Sequence, residues 1–242
     1  LWLGSQKGLY KVHKRNSGKP EFEIITLYSK SQELNIRDLV FDRNGDLIVV
    51  LPGRIFHLDI NNSLSTPIVQ AIIEGNKLPS GFSYMSALVD NQNRLWVGTS
   101  KGLYVYAKPS GSTKYDISNP LFFEHRETDT SSLRCHTIND IFQDSKERIW
   151  LCTPNGFINA NLKNNSMSFR NYSTADGLKN NAVYGVLENP TDGTLWMSTN
   201  GGLSKFDPVS NKFSNFDIHD GLQSNEFNGG AYFRAADNEF LF

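Results

Sequence analysis

Five times along this chain a short apolar segment, centred on Trp or a substitute for it, runs into a tight turn and then a second apolar segment. The copies are Leu1-Trp2-Leu3-Gly4 before Gly8-Leu9-Tyr10, Leu47-Ile48-Val49 before Ile55-Phe56, and Leu95-Trp96-Val97-Gly98 before Gly102-Leu103-Tyr104. Two more follow, Ile149-Trp150-Leu151 before Gly156-Phe157 and Leu195-Trp196-Met197 before Gly202-Leu203. The marker falls at positions 2, 48, 96, 150 and 196, a period of roughly 46 to 54 residues. A period of that length signals an array of small β units, none of which buries its own apolar face without a neighbour. Composition does not shift along the 242 residues, so one array is expected, not two domains.

Each unit reads as four antiparallel strands. The first is a short apolar segment: 36–41, 85–89, 138–142, 183–187 and 227–233. A polar turn follows, such as Asp42-Arg43-Asn44-Gly45, Asp90-Asn91-Gln92-Asn93 or Asp144-Ser145-Lys146-Glu147. Asp at its start caps turn amides, and Gly or Asn near its end tolerates positive φ. The Trp strand is second, a glycine hairpin leads to the third, and a more polar fourth strand closes the unit at 22–28, 121–125, 167–172 and 212–217. Pro67, in the second unit, suits an outer edge strand, where a missing N–H costs nothing. Such units arranged radially make an all-β propeller of four-stranded antiparallel blades. The expected repeats are approximately 1–30, 35–72, 83–127, 136–174 and 181–217, with a partial unit at 225–242. A Trp at the same place in nearly every unit reads as packing between blades in preference to a stacking platform for a sugar.

The ends leave two readings. The terminal first strand would complete the opening unit and close a ring of five. However, Glu239-Phe240-Leu241-Phe242 then duplicates Leu1 to Gly4, as expected of a segment cut from a longer array. The chain opens on a strand without Met and reads as an excerpt, so the lack of a targeting segment carries little weight. No apolar run approaches the roughly 20 residues that span a bilayer. The formal net charge of −1 provides no electrostatic footprint for nucleic acid. Cys135 and Cys152 lie in one repeat, where pairing is conceivable and two buried free thiols are the plainer reading.

The pattern Asp-Gly-Leu-x-x-Asn, then an apolar strand, Asp-x-x-Gly-x-Leu-Trp-x-Gly-Thr and Gly-Leu, resembles the regulator-propeller repeats of bacterial two-component sensors. It stands here as Asp176-Gly177-Leu178-Lys179-Asn180-Asn181 and Asp220-Gly221-Leu222-Gln223-Ser224-Asn225, with Trp96-Val97-Gly98-Thr99 and Trp196-Met197-Ser198-Thr199 in the central part. Asn225-Glu226-Phe227-Asn228-Gly229-Gly230-Ala231 is similar to the last repeat of such arrays. The second unit departs most: it lacks the Trp, and Arg54 stands where Gly102 stands later. The resemblance implies a periplasmic sensor region of an inner-membrane protein, ahead of a histidine kinase or diguanylate cyclase output. It further implies a homodimer formed through the full-length protein and an oligosaccharide or other small polar ligand.

Catalysis in a five-bladed glycan-cleaving enzyme needs two carboxylates facing each other across the channel. Taking the tops of the innermost strands in turn puts Arg37, Ser86, Asn139, Tyr184 and Asn228 at one level, and Asp38, Ala87, Asp140, Gly185 and Gly229 at the next. Asp38 and Asp140 are thus the candidate pair, although an Asp there more often ties down backbone N–H groups. The five histidines fall at different places in their units, which speaks against a shared metal centre. Asp42 to Asp46 echoes a calcium loop without its distal Glu. No metal, cofactor or catalytic residue is therefore expected. The expected ligand-binding set is Arg37, His136, Asn139, Asn181, Tyr184 and Asn228, a mixed hydrogen-bonding and aromatic lining. Asn181 and Asn225 recur in a turn motif, so capping of loops is the competing role.

Overall fold

The computed structural model describes residues 1–14, 19–27, 34–61, 68–73, 82–112 and 114–242. The first sheet has three strands, β1 (Trp2–Ser5), β2 (Gly8–Lys14) and β3 (Pro20–Ile25). The second contains β4 (Asp38–Phe41), β5 (Leu47–Leu51), β6 (Arg54–Asp59) and β7 (Ile68–Ile73), and the third β8 (Tyr84–Val89), β9 (Leu95–Thr99), β10 (Gly102–Tyr106) and β11 (Leu121–Phe123). The fourth is β12 (Asp140–Gln143), β13 (Ile149–Thr153), β14 (Gly156–Lys163) and β15 (Ser166–Tyr172). The fifth is β16 (Val183–Glu188), β17 (Leu195–Thr199), β18 (Gly202–Asp207) and β19 (Lys212–Phe216), and β20 (Phe233–Arg234) pairs with β21 (Phe240–Leu241). Within each four-stranded sheet the spatial order is the sequence order. The innermost strands β4, β8, β12 and β16 touch in succession and line the axis. Pro67 and the end of the first unit's outer strand lie outside the described residues.

The core is built between blades. Every residue of β5, β9 and β13 is buried. On β5, Leu47, Val49 and Leu51 pack with Leu9 and Ile25 of the preceding blade, whereas Ile48 and Val50 pack with Tyr84, Ala87 and Val97 of the following one. A strand covered on both faces needs apolar residues at both parities, which is why these segments read as continuous apolar runs. Trp96 and Trp150 lie between blades as expected, the first against Ile138, Ile141 and Leu151, the second against Val183, Leu195 and Met197. Trp196 is only half-buried and stacks on Phe216 at 5.3 Å.

The polar turn after the innermost strand explains why Trp recurs. Asp90 Oδ1 accepts from the amides of Gln92 and Arg94, both at 2.9 Å, and Oδ2 accepts from Arg94 Nε at 2.6 Å and Trp96 Nε1 at 2.7 Å. Asp144 does the same with Lys146, Arg148 and Trp150, the indole contact being 2.8 Å. One buried carboxylate thus closes the turn and satisfies the indole N–H, which burial requires of it. In the second blade Ile48 replaces the Trp, and its cross-strand partner His57 supplies the donor, with Nε2 at 3.2 Å from Asp42 Oδ2. The least regular repeat in sequence therefore keeps the clamp with different chemistry.

Two sequence expectations need correction. The terminal first strand expected over 227–233 exists only as Phe233–Arg234, paired with Phe240–Leu241 and not with the opening sheet. Strand register also places Ser86, not Ala87, level with Asp38, Asp140 and Gly185, because Ser86 pairs with Gly98 as they pair with Val50, Cys152 and Ser198. Ser86 stands ten residues before Trp96, as Asp38 stands before Ile48 and Asp140 before Trp150, so the count back from the marker position gives the level. Among the described residues, no helix is long and apolar enough to cross a membrane.

Candidate functional site: channel centre and loop face

At the channel centre, the Asp pair is spent on backbone. Asp38 Oδ1 accepts from Leu39 N at 2.8 Å and Oδ2 from Ala87 N, on the next blade, at 2.9 Å. Asp140 repeats the arrangement one pair of blades on, accepting from Ile141 N at 2.9 Å and from the amide of Val186. Each carboxylate therefore staples its blade to the following one. Tyr232, from the segment after β19, closes over them. Its hydroxyl donates to Asp140, and its ring lies on Gly185, where any Cβ would overlap it. Burial, reinforced by the charge of Asp38, pushes the Asp140 carboxyl up to about 7, while the Tyr232 hydroxyl and two amides pull against it. Burial likewise lifts Asp38 to about 6, against the pull of its amide donors. The Ser86 hydroxyl, at the same level, is buried with no partner among the described residues. Cys135 and Cys152 are both buried free thiols.

The six residues expected to bind ligand are distributed over the loop face. Arg37 and Asn228 are exposed. His136 is exposed and stands edge-on to His125, with ring centres 5.0 Å apart. Asn139 Nδ2 donates to Val183 O at 2.8 Å, a further tie between blades. The Tyr184 hydroxyl donates to Asn200 Oδ1 at 2.8 Å. Asn181 Oδ1 accepts from Thr174 N at 2.8 Å, and Asn225 accepts from Ile218 N at 2.9 Å in the same way. The Asp-Gly-Leu-x-x-Asn motif is thus a structural connector. Ser173 and Asp176, or Asp217 and Asp220, form a capping box around one 3-10 turn, Gly177 or Gly221 takes the left-handed position, and the Asn ties the turn down.

Asp42, Asp46 and His57 bring ligand atoms within 4.8 Å of one another. Their lone pairs are already assigned: Asp42 to two turn amides, His57 and the Lys108 ammonium at 3.7 Å, and Asp46 to Ile60 N and Asn61 Nδ2. The cluster is the blade clamp, with an internal lysine where a cation would otherwise sit.

Sequence reading missed a groove of about 410 Å³ on the loop face. Thr130, Ser132 and Arg134 of the loop between β11 and β12 form one wall, and Phe169, Arg170, Asn171, Ser173 and Asp176 the other. Its arginines occupy positions without periodicity, which is why sequence patterning passes over them.

Sheets of this order, stacked face to face about an axis lined by their first strands, define a segment of a β-propeller. A family profile described as two-component regulator propeller matches residues 77–101, at the third blade's repeat. A histidine kinase of Formosa agariphila is 31% identical over 156 residues, covering 64% of this chain and 11% of the kinase, so the chain spans about a tenth of that relative. The extracellular domain of a Bacteroides thetaiotaomicron protein assigned to the hybrid two-component systems superposes with a TM-score of 0.76 at 22% identity. That match covers 99% of this chain and 30% of the other. Virginiamycin B lyase of Staphylococcus aureus superposes with a TM-score of 0.62 at 11% identity, over 99% of this chain and 78% of the lyase. These superpositions establish the fold and nothing of the chemistry.

Proposed function

We propose that the chain is a non-catalytic, extracytoplasmic ligand-sensing propeller segment of a bacterial signal-transduction protein, recognising an oligosaccharide or other small polar ligand. The observation that carries the reading is the state of the channel carboxylates. Asp38 and Asp140 hold amides of adjacent blades and lie under Tyr232, whereas a glycosidase dyad must present both groups to a sugar. The regulator-propeller repeat supports a sensory role, as does the likeness to a histidine kinase and to a solved domain whose description is extracellular. Recognition is assigned to the loop face, where Arg37, His136 and Asn228 are exposed while Asn139, Asn181 and Tyr184 already hold partners within the fold. Bound ligand acts by favouring one arrangement of a dimer, or of the domain that follows, through its differential affinity for the two states.

The test is thermal denaturation of the chain against a panel of neutral and acidic oligosaccharides, with each mixture analysed for cleavage. A saturable rise in Tm without products supports the sensor, since a ligand that binds only the folded state raises stability with concentration. Cleavage that disappears in Asp140→Asn establishes the enzyme instead.

A further inference from the structure

Register puts Gly185 at the level where Asp38 and Asp140 stand on their own blades, so β16 presents no carboxylate there. The Tyr232 ring takes that space, lying where a Cβ of residue 185 would stand, and its hydroxyl donates to Asp140. Asp140 is buried and Tyr232 half-buried, so the ring stands between that carboxyl and solvent. The segment that carries Tyr232 is lightly held. Among the described residues, the backbone hydrogen bonds of 226–239 stay within it and its hairpin, as from Ala231 N to Asn228 O at 3.4 Å and from Ala235 N to Glu239 O at 2.8 Å. The contact of the Tyr232 hydroxyl with Asp140 ties it to the fourth blade.

The titratable groups around this contact are all acidic. β4 brings Asp38, β12 Asp140 and β13 Cys152, while Ser86 of β8 and Gly185 of β16 carry no charge, and Arg37, next to Asp38 in sequence, is exposed. Burial and the neighbouring carboxylate charge keep the Cys152 thiol and the Tyr232 hydroxyl protonated. We propose that Tyr232 and Asp140 form a pH-sensitive latch on the axial channel, shut while Asp140 is protonated and released as it ionises. Release lets water reach the carboxylate, so the open channel binds protons less tightly than the shut one. The advantage of the shut state is complete below the ordinary carboxylate range and is lost as pH rises through about 7, where the shut channel holds Asp140. The Tyr232 hydroxyl opposes release by stabilising the ionised form, but burial and the charge of Asp38 outweigh it. The latch works whatever the loop face binds.

The experiment is NMR of the 242-residue chain, labelled with carbon-13 in its tyrosine rings, in the presence of a soluble paramagnetic relaxation agent. The pH is stepped from about 5 to about 8.5, across the window in which the carboxyls titrate. The Tyr232 signal is the one missing from Tyr232→Phe. It should be shielded from the agent at the acid end and exposed at the alkaline end. The ratio of shut to open channel should fall by about tenfold for each unit by which release lowers the carboxyl. Gly185→Ala, whose methyl takes the ring's place, should give the exposed signal throughout. Asp140→Asn, which cannot ionise, should keep the ring shielded at every pH. Asp38→Asn leaves Asp140 ionisable and removes the charge that repels it, so the change should be complete at a lower pH. That variant decides the case if Asp140→Asn fails to fold or loses the ring. A Tyr232 ring equally shielded at both ends of the range, or a pH response unchanged in Asp140→Asn or in Asp38→Asn, overturns the latch.

Discussion

Asp38 Oδ2 and Ala87 N face each other across a blade boundary at 2.9 Å, although 49 residues separate them in sequence. Asp140 makes the equivalent contact with Val186, so the innermost strands are joined by carboxylates where a catalytic propeller would expose them. The arrangement carries a cost, since both acids are held in a space that resists their ionisation.

That cost sets a pH dependence. The carboxyls of Asp38 and Asp140, lifted from 3.8 to about 6 and about 7, bind protons more tightly in the folded chain than in the unfolded one. Stability therefore falls as pH rises from about 4 to about 7 and then levels off, a tenfold difference in proton affinity between the two states being worth about 1.4 kcal/mol. Asp116, Asp129, Asp192, Asp207 and Asp217, held below their ordinary range mainly by neighbouring hydroxyls, amides or Lys179, act in the opposite sense and below that window. Urea unfolding from about pH 4.5 to about pH 8 should show the decline, and Asp140→Asn should flatten it. An unchanged slope in that variant would remove Asp140 as its source.

The Asp–Trp clamp predicts unequal costs for one substitution. Trp150→Phe leaves buried Asp144 without its indole donor and disturbs the stack on Phe157, whose ring centre lies 4.8 Å away. A loss of about 1–3 kcal/mol is expected. Trp196→Phe, at a half-buried indole outside any such clamp, should cost less than about 1 kcal/mol. Equilibrium denaturation of the two variants compares them directly.

In the second blade, His57→Leu should destabilise by about 1–3 kcal/mol, because Asp42 Oδ2 is buried and loses its imidazole donor. If His57 were merely a tolerated surface residue, the variant would unfold at the parent's denaturant midpoint.

Gly185 and Tyr232 form a pair in which the glycine makes room for the ring. Gly185→Ala should expel Tyr232 from the channel and lower Tm. Tyr232→Phe should retain the packing while removing the hydroxyl that stabilises ionised Asp140. Its carboxyl should then titrate above the parent value in a carbon-detected NMR titration.

The blades were legible because turn chemistry and apolar parity repeat. The spacing of six residues from Asp90 to Trp96 and from Asp144 to Trp150 even encodes the clamp, once its geometry is known. What escaped linear reading depends on register or on distant contacts. Ser86 falls in the channel ring by strand pairing with Gly98, His57 replaces an indole only because it pairs with Ile48, and Tyr232 reaches Gly185 from a non-repeating segment. Asn181, expected to bind ligand, carries a turn that Asn225 duplicates.

Whether the channel carboxylates react is the central question for the sensor reading. The decisive measurement is a reducing-end assay run alongside the thermal titration, on the parent chain and on Asp140→Asn, with the saccharide that gives the largest shift. A saturable shift in both proteins, with no new reducing ends in either, is the predicted result. New reducing ends with the parent chain that vanish in Asp140→Asn would contradict it.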